Sequence, residues 1–413
     1  MSGPILIFDK SALQDLSDDE AFLLDAFFLT NIVPTFFVEV LGDLAKESAQ
    51  GIVPEQMVGA LAEKTPRYHA SVSAFHGSLV VAALLGKPIE MNTGQIVLDR
   101  GSMRRSADGA IGFFAEEPPE ADALWRWQSH EFTEVERLYA RSWRASLSAI
   151  DHGALIEWAE RMVPPDQRIR TLKDARAFAD GFMSSGDRQV LEFALQHLNV
   201  DAQYRRAILE RHAALGFPPL SMFAPYAAHI LTVNVMLALG MSTHWISSKP
   251  QNNVIDVSYL YYLPFCMVFV SGDKLHARLV PHLKRDDQEF VWGPHLRAAL
   301  RELHAYYLAR HVELGATGPE AFPFEPPTDV DNLVTRLWDQ FLPRWRERHQ
   351  TKSGDEPDGA PDVMTRMQGD GEELPESEWP AQPDFVVVKK RVPPRRGRWR
   401  ITPEPSSSES ETE

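Results

Sequence analysis

Asn252 to Asp273 reads NNVIDVSYLYYLPFCMVFVSGD, and it carries three successive signals. Asn252 and Asn253 are helix-capping residues. Asp256 follows in the first turn, where the helix dipole favours a carboxylate. Val257, Leu260, Tyr261 and Leu263 keep helical spacing as far as Pro264, which ends the turn. Cys266 to Val270 is then a short unbroken apolar run, the pattern of a buried parallel strand. Ser271-Gly272-Asp273 closes it and leaves Asp273 on the loop at the strand's carboxyl end. Ligands of open α/β sheets bind at that edge. Helix start and strand end therefore bring Asp256 and Asp273 to one rim.

The first residues repeat the pattern. Ile5-Leu6-Ile7-Phe8 is a four-residue apolar strand followed directly by Asp9, Lys10 and Ser11. A helical stretch from Asp18 to Leu29 leads to a short strand at Ile32-Val33-Pro34, and a second helix starts near Thr35. That helix carries Glu39 and Asp43, four apart and so on one face. Asp9 and Asp273 at strand ends, with Glu39 and Asp256 on helices, make four acids that the fold would gather.

Three pieces carry a family resemblance: ILIFDKSAL at 5–13, FFVEVLGDL at 36–44 and NNVIDVSYLYYLPFCMVFVSGDK at 252–274. Taken in this order they resemble the PIN-domain nucleases. The resemblance implies a parallel sheet flanked by helices, and Asp9, Glu39, Asp256 and Asp273 as the catalytic residues. They would bind Mg²⁺ or Mn²⁺ for hydrolysis of RNA or another single-stranded nucleic acid. Ser11 would assist, with Asp43, Asn252 and Lys274 in support, Asp43 being a reserve ligand. Lys10 is expected to point away. The chain departs from the family in size, because a long segment separates Glu39 from Asp256.

The chemistry suits such a group. Phosphodiester hydrolysis needs an activated water and neutralised charge on the attacking and leaving oxygens. Divalent ions held by carboxylates supply both. Two carboxylates 4 Å apart repel by about 4 kcal/mol at an effective dielectric of 20, so an acid cluster without a cation is strained or partly protonated. The plainer readings are that Asp9 caps the helix after it, Asp256 is only a first-turn acid and Glu39 is solvated. Other site types fare worse. The 14 histidines form no HExxH, one cysteine excludes a Cys-type zinc site, and no P-loop or GxGxxG is present.

Composition sets the outer bounds. The 413 residues are 44% hydrophobic, enough for a sizeable core in a globular chain. Cys266, the single cysteine, lies in an apolar strand and suits a reducing cytoplasm. The N-terminal apolar run is too short for a secretory signal and has no basic segment before it. Phe217 to Ser248 carries no formal charge, but its prolines leave only Ala227 to Met241 as continuous helix, which reads as buried and not membrane-spanning. A net charge of −16 argues against broad nucleic-acid affinity through a basic surface. Bound divalent ions would reverse that sign locally.

The expected organisation is a PIN-like core begun by 1–65, a mostly helical insertion over 66–215, the rest of the core with C-terminal helices over 216–350, and a disordered charged tail over 351–413. Within the insertion, 54–64 and 70–85 continue helically up to Gly86, and Gln95 to Leu98 reads as a strand. Asp99 to Gly109 reads as a loop whose Arg100, Arg104 and Arg105 either touch phosphates or sit on a solvated turn. Trp125, Trp127, Trp143 and Trp158 read as core, with base stacking the rival. Arg168, Arg170, Lys173 and Arg176 make a basic cluster, solvated or phosphate-binding. Thr243 to Ile246 reads as a strand, and helices follow near 275–283, 295–313 and 330–349. In the tail, 351–385 holds ten acids against two basic residues. KKRVPPRRGRWR at 389–400 then places Lys389, Lys390, Arg391, Arg395 and Arg396 around Trp399. That patch suits RNA or a protein partner, or merely solubility. The rival function is a PIN-like scaffold without activity that binds RNA or protein through insertion and tail. A third is a hydrolase of small phosphoesters.

Overall fold

The computed structural model describes residues 3–46, 53–94, 97–98, 101–106, 109–116, 119–148, 152–164, 168–247, 253–313, 325–347, 372–375, 378–380 and 385–388. The chain opens with β1 (Ile5–Phe8), α1 (Lys10–Gln14), α2 (Asp18–Phe27), β2 (Leu29–Ile32), α3 (Pro34–Gly42), α4 (Pro54–Lys64), β3 (Ala70–Val72) and α5 (His76–Leu85). A hairpin of β4 (Gly101–Arg105) and β5 (Ile111–Ala115) precedes a run of helices. These are α6 (Pro119–Gln128), α7 (Glu134–Ser148), α8 (His152–Met162), α9 (Leu172–Met183), α10 (Arg188–His197), α11 (Ala202–Ala214), α12 (Leu220–Phe223) and α13 (Pro225–Ser242). Then come α14 (Asn253–Tyr259), a 3₁₀ segment (Leu260–Phe265), β6 (Val268–Ser271), α15 (Lys274–Leu283), β7 (Glu289–Trp292), α16 (Gly293–Glu313) and α17 (Leu333–Phe341). Two short strands, β8 (Glu372–Glu373) and β9 (Phe385–Val388), complete the series.

The principal sheet is parallel throughout, in the order β3-β2-β1-β6-β7. Strands β1 and β6 are central, and every residue of both is buried. That is why these strands read as unbroken apolar runs, since helices cover both faces. Each buried Leu, Ile, Val or Phe contributes roughly 1.5–3 kcal/mol, so these two strands anchor the fold. From β1 the chain builds outward through β2 and β3, then returns to add β6 and β7 on the other side. The direction of winding reverses between β1 and β6, and such a switch point opens a crevice at the carboxyl ends of the strands.

Local chemistry places the elements around that crevice. Asp9 caps α1 by accepting from the Ala12 N–H, and Asp273 caps α15 by accepting from the Leu275 N–H. Ser17 and Glu20 form a capping box at the start of α2. Pro34 supplies the first turn of α3, where its missing N–H costs nothing. Helix α13 is long and apolar enough to cross a membrane by length and composition, yet 78% of it is buried within the protein. It packs against α8, α9 and α5, as a helix apolar on all sides must.

Several expectations need correction. Ala70–Val72 is not helix but the edge strand β3, so the core sheet reaches past residue 65. Its three residues show no period of their own, and pairing with β2 decides their state. Thr243–Ile246 is not a strand. It is the turn that follows α13, where His244 takes φ 61° and the Ile246 N–H bonds back to the Gly240 carbonyl at 2.7 Å. Gly101–Arg105 is a strand and not a loop, paired antiparallel with β5. Of the expected strand Gln95 to Leu98, Gln95 and Ile96 lie outside the described residues, while Val97 and Leu98 are not in a strand. In the expected disordered tail, β8 pairs with β4 and β9 with β5, giving a second sheet in the order β8-β4-β5-β9. Backbone pairing supplies there what composition lacks. Lys389, Lys390, Arg391, Arg395 and Arg396 lie outside the described residues, as do Arg100 and Asn252.

Candidate active site at the carboxyl edge of the sheet

Asp9 stands immediately after β1, its N–H bonded to the Val270 carbonyl of β6. Its carboxylate is buried and accepts from the Ser11 hydroxyl (2.8 and 2.9 Å), the Ala12 N–H (2.9 Å) and the Ser271 hydroxyl (2.7 Å). His276, fully buried on α15, lies 3.5 Å from the same carboxylate. Burial would raise the Asp9 carboxyl. Hydrogen bonding and charge from His276, with the Ala12 N–H and the Ser271 hydroxyl, outweigh it and hold the group below the usual carboxylate range.

The proton inventory around His276 is determined by its partners. Nε2 lies 2.6 Å from the Asp256 main-chain carbonyl, which can only accept, so Nε2 carries a proton. The Ser271 hydroxyl gives its one proton to Asp9, so Nδ1, 2.7 Å from Ser271 Oγ, must also donate. Both ring nitrogens are donors, and His276 is an imidazolium. Burial opposes that charge, but Asp9 and Asp256 more than offset it and raise the ring's pKa. One cation thus ties β1, β6, α14 and α15 together at the crevice.

Asp256 sits in the first turn of α14 with its carboxyl half-buried. Burial raises it most. His276 opposes that rise, but the charges of Asp273, Glu39 and Asp9 add to it, and the carboxyl is pushed up to about 7. All four acids therefore share one electrostatic neighbourhood. Glu39 accepts from the Tyr259 hydroxyl at 2.7 Å. Its other oxygen lies 3.3 Å from the ammonium of Lys10, which also pairs with Asp43 at 2.8 Å. Lys10 does not point away: it is buried among the acids, and although burial would lower its pKa, Glu39 and Asp43 raise it. Lys46 and Arg144 also contact Asp43.

The supporting residues divide. Ser11 bridges the two halves of the site, donating to Asp9 and accepting from the Gly272 N–H at 3.1 Å. A Cβ on Gly272 would come within 2.9 Å of Ser11 Oγ, so glycine permits this close approach. Asp43 is held by three cations, whereas Lys274 is exposed on the first turn of α15. Arg104 and Arg105 are exposed on β4, outside this site. Tyr259, Ser271 and His276 were not singled out from sequence. His276 carries a signal, since it lies three residues past Asp273 at a helix start, on the same side.

In donor type and charge the residues fit a hard divalent cation: four carboxylates, one of them driven towards its neutral form by burial and, to a lesser degree, by the others. In position they are open. Among the described residues no three His, Cys, Asp or Glu side chains are placed to hold a metal ion, and the internal cations Lys10 and His276 offset part of the charge. No family model matches the chain, nor does any curated protein or solved structure.

Proposed function

We propose that this protein is a metal-dependent nuclease acting on RNA or another single-stranded nucleic acid. Asp9, Glu39, Asp256 and Asp273 would hold Mg²⁺ or Mn²⁺. The observation that carries this reading is Asp256, whose carboxyl is pushed up to about 7 by burial, with the charges of Asp273, Glu39 and Asp9 adding to the rise at a sheet switch point. Such perturbation, in a crevice where ligands bind, is characteristic of functional carboxylates. A bound cation would supply charge neutralisation at the phosphate and an activated water. The chain's own residues prepare the site. Ser11, Ser271 and His276 fix the Asp9 carboxylate, and Tyr259 orients Glu39.

One observation favours the second reading, a PIN-like scaffold without activity that binds RNA or a protein partner. The Lys10 ammonium already spans Glu39 and Asp43, inside the acid group. Cleavage of a mixed RNA pool in Mg²⁺ or Mn²⁺ separates the two. The nuclease reading expects activity abolished by EDTA and lowered about a hundredfold or more by Asp273→Asn or Asp9→Asn, with the double variant little worse than either single one. A wild type inactive with every divalent metal supports the scaffold, and a fully active Asp273→Asn rejects the four-acid mechanism.

A further inference from the structure

Of the basic residues grouped over 168–176, Arg168, Arg170 and Lys173 are exposed, whereas Arg176 lines a pocket of about 260 Å³. The pocket lies at the edge of the sheet away from the acids. Helices α9 and α13 form one side of it. The other side is Leu263 and Pro264, ahead of β6, with Leu283, Arg285 and Gln288, ahead of β7. Those are the amino ends of the parallel strands, and the acids stand at the carboxyl ends. The space is smaller than the roughly 300–1,000 Å³ of drug-sized sites, so it suits a small ligand.

Three groups in this pocket are held in place with binding atoms left over. Arg176 pairs through Nε with Asp180 at 2.8 Å, and its Nη1 donates to the His282 carbonyl at 3.0 Å. Arg285 pairs through Nε with Asp287 at 3.0 Å, and its Nη2 donates to the Pro264 carbonyl at 3.4 Å. Among the described residues Arg176 Nη2 and Arg285 Nη1 have no partner, and neither is sealed from solvent. Asp180 and Asp287 are half-exposed, so water screens their charge and they do not cancel the guanidinium groups. The third group is His229, partly buried on α13. Its Nε2 donates to the Leu260 carbonyl at 2.9 Å, because a carbonyl only accepts. Burial lowers the ring to about 4, the charges of Arg176 and Arg285 adding to the fall against the Leu260 hydrogen bond, so the ring is neutral from about pH 6 upward. Nδ1 is then an acceptor without a partner among the described residues, and it too keeps accessible surface.

We infer that this pocket binds a phosphate group that keeps one proton, either free or at the end of a small ester. Its oxygens accept from the two guanidinium groups, and its P–OH donates to His229 Nδ1. Hydrogen bonds between ions are the strong ones, and the planar fork of arginine matches phosphate geometry. The histidine decides which anion. A carboxylate or a sulfate, fully ionised, has no proton for Nδ1 and would set an oxygen against its lone pair. A neutral ligand would leave both cations unanswered. The pocket shares no residue with the acid group, so phosphate binding here is independent of the nuclease reading.

Calorimetric titration of the full chain tests this, in EDTA so that no divalent metal draws phosphate to the acids. Inorganic phosphate, glycerol 3-phosphate and sulfate are the probes. At about pH 6 inorganic phosphate and a share of the ester hold a proton, and His229 is still neutral. At least one of the two phosphates should bind with a dissociation constant below about 1 mM, and at least about tenfold more tightly than sulfate. The tighter of the two identifies the source. Arg176→Gln and Arg285→Gln should each weaken binding about tenfold or more. His229→Gln keeps a donor for the Leu260 carbonyl and loses Nδ1, so it should bring phosphate and sulfate to within about threefold of each other. Thermal melting of every variant monitors folding. The inference is overturned if neither phosphate binds the wild type, if sulfate binds as tightly, if the folded arginine variants bind like wild type, or if folded His229→Gln keeps the full preference.

Discussion

Asp256 and His276 touch through one hydrogen bond, yet replacing them should move stability in opposite directions. The folded chain favours neutral Asp256, with a pKa near 7 against an ordinary value of 3.8. Its contribution to stability is therefore lost as pH rises from about 4 to about 7. His276 works in the same sense: its pKa is raised above 6.5, so its contribution is complete below that value and declines as pH rises through the folded one. Asp9 is depressed, and its contribution disappears only as pH falls below the ordinary carboxylate range. In EDTA the protein should thus melt lower at about pH 8 than at about pH 5. Asp256→Asn should flatten that dependence and raise the midpoint at the higher pH by a few °C. A variant no more stable than wild type there would mean that neither burial nor the neighbouring acids disfavour the Asp256 charge. His276→Asn removes the cation facing a buried carboxylate and should cost about 3–5 kcal/mol in urea unfolding. A loss under about 1 kcal/mol would contradict the imidazolium bridge.

At the level of elements, what sequence revealed depended on where each segment draws its stability. Strands β1 and β6 were legible because burial on both faces imposes unbroken apolar runs. Helix α14 was legible from its asparagines and apolar spacing, and the expected helices from Thr35 and over 275–283 match α3 and α15 to within a residue at their starts. The edge strand β3 was not, since Ala-Ser-Val has little pattern and gains its state from pairing with β2. Gly-Ser-Met-Arg-Arg read as loop because only Met103 of β4 is buried, and the partner strand supplies the rest. Lys10 was misread because a lysine is ordinarily solvated; only the packing of α1 against α3 reveals the two acids that hold it. The second sheet gives a further test. Truncation after Gln350 deletes β8 and β9 and should speed amide exchange at Ile111–Ala115, which pairs with β9. The five-stranded sheet, which the tail does not enter, should keep its protection and its melting transition. Loss of protection in β1 and β6 would show that the tail supports the core.

Across the whole molecule, net charge −16 and an acid-lined crevice place the burden of recognition on cations, internal or bound. Lys10 and His276 are the internal ones, and the folded site is organised around them. The reversal of strand order puts Asp9 and the β6 terminus side by side, and α3 and α14 bring Glu39 and Asp256 to the same edge. Sequence order alone indicated that convergence; the charges that balance it did not appear until the chain was folded. The account's central claim is that these four acids form one cation site. Its most direct test is titration of Mn²⁺ into the metal-free protein, followed by electron paramagnetic resonance and by melting. Binding should saturate and raise the melting midpoint, with roughly 2.7 kcal/mol of stabilisation at a hundredfold excess over the dissociation constant. It should also weaken together in Asp9→Asn, Asp256→Asn and Asp273→Asn. Mn²⁺ that fails to bind, or that binds all three variants as tightly as wild type, would contradict it.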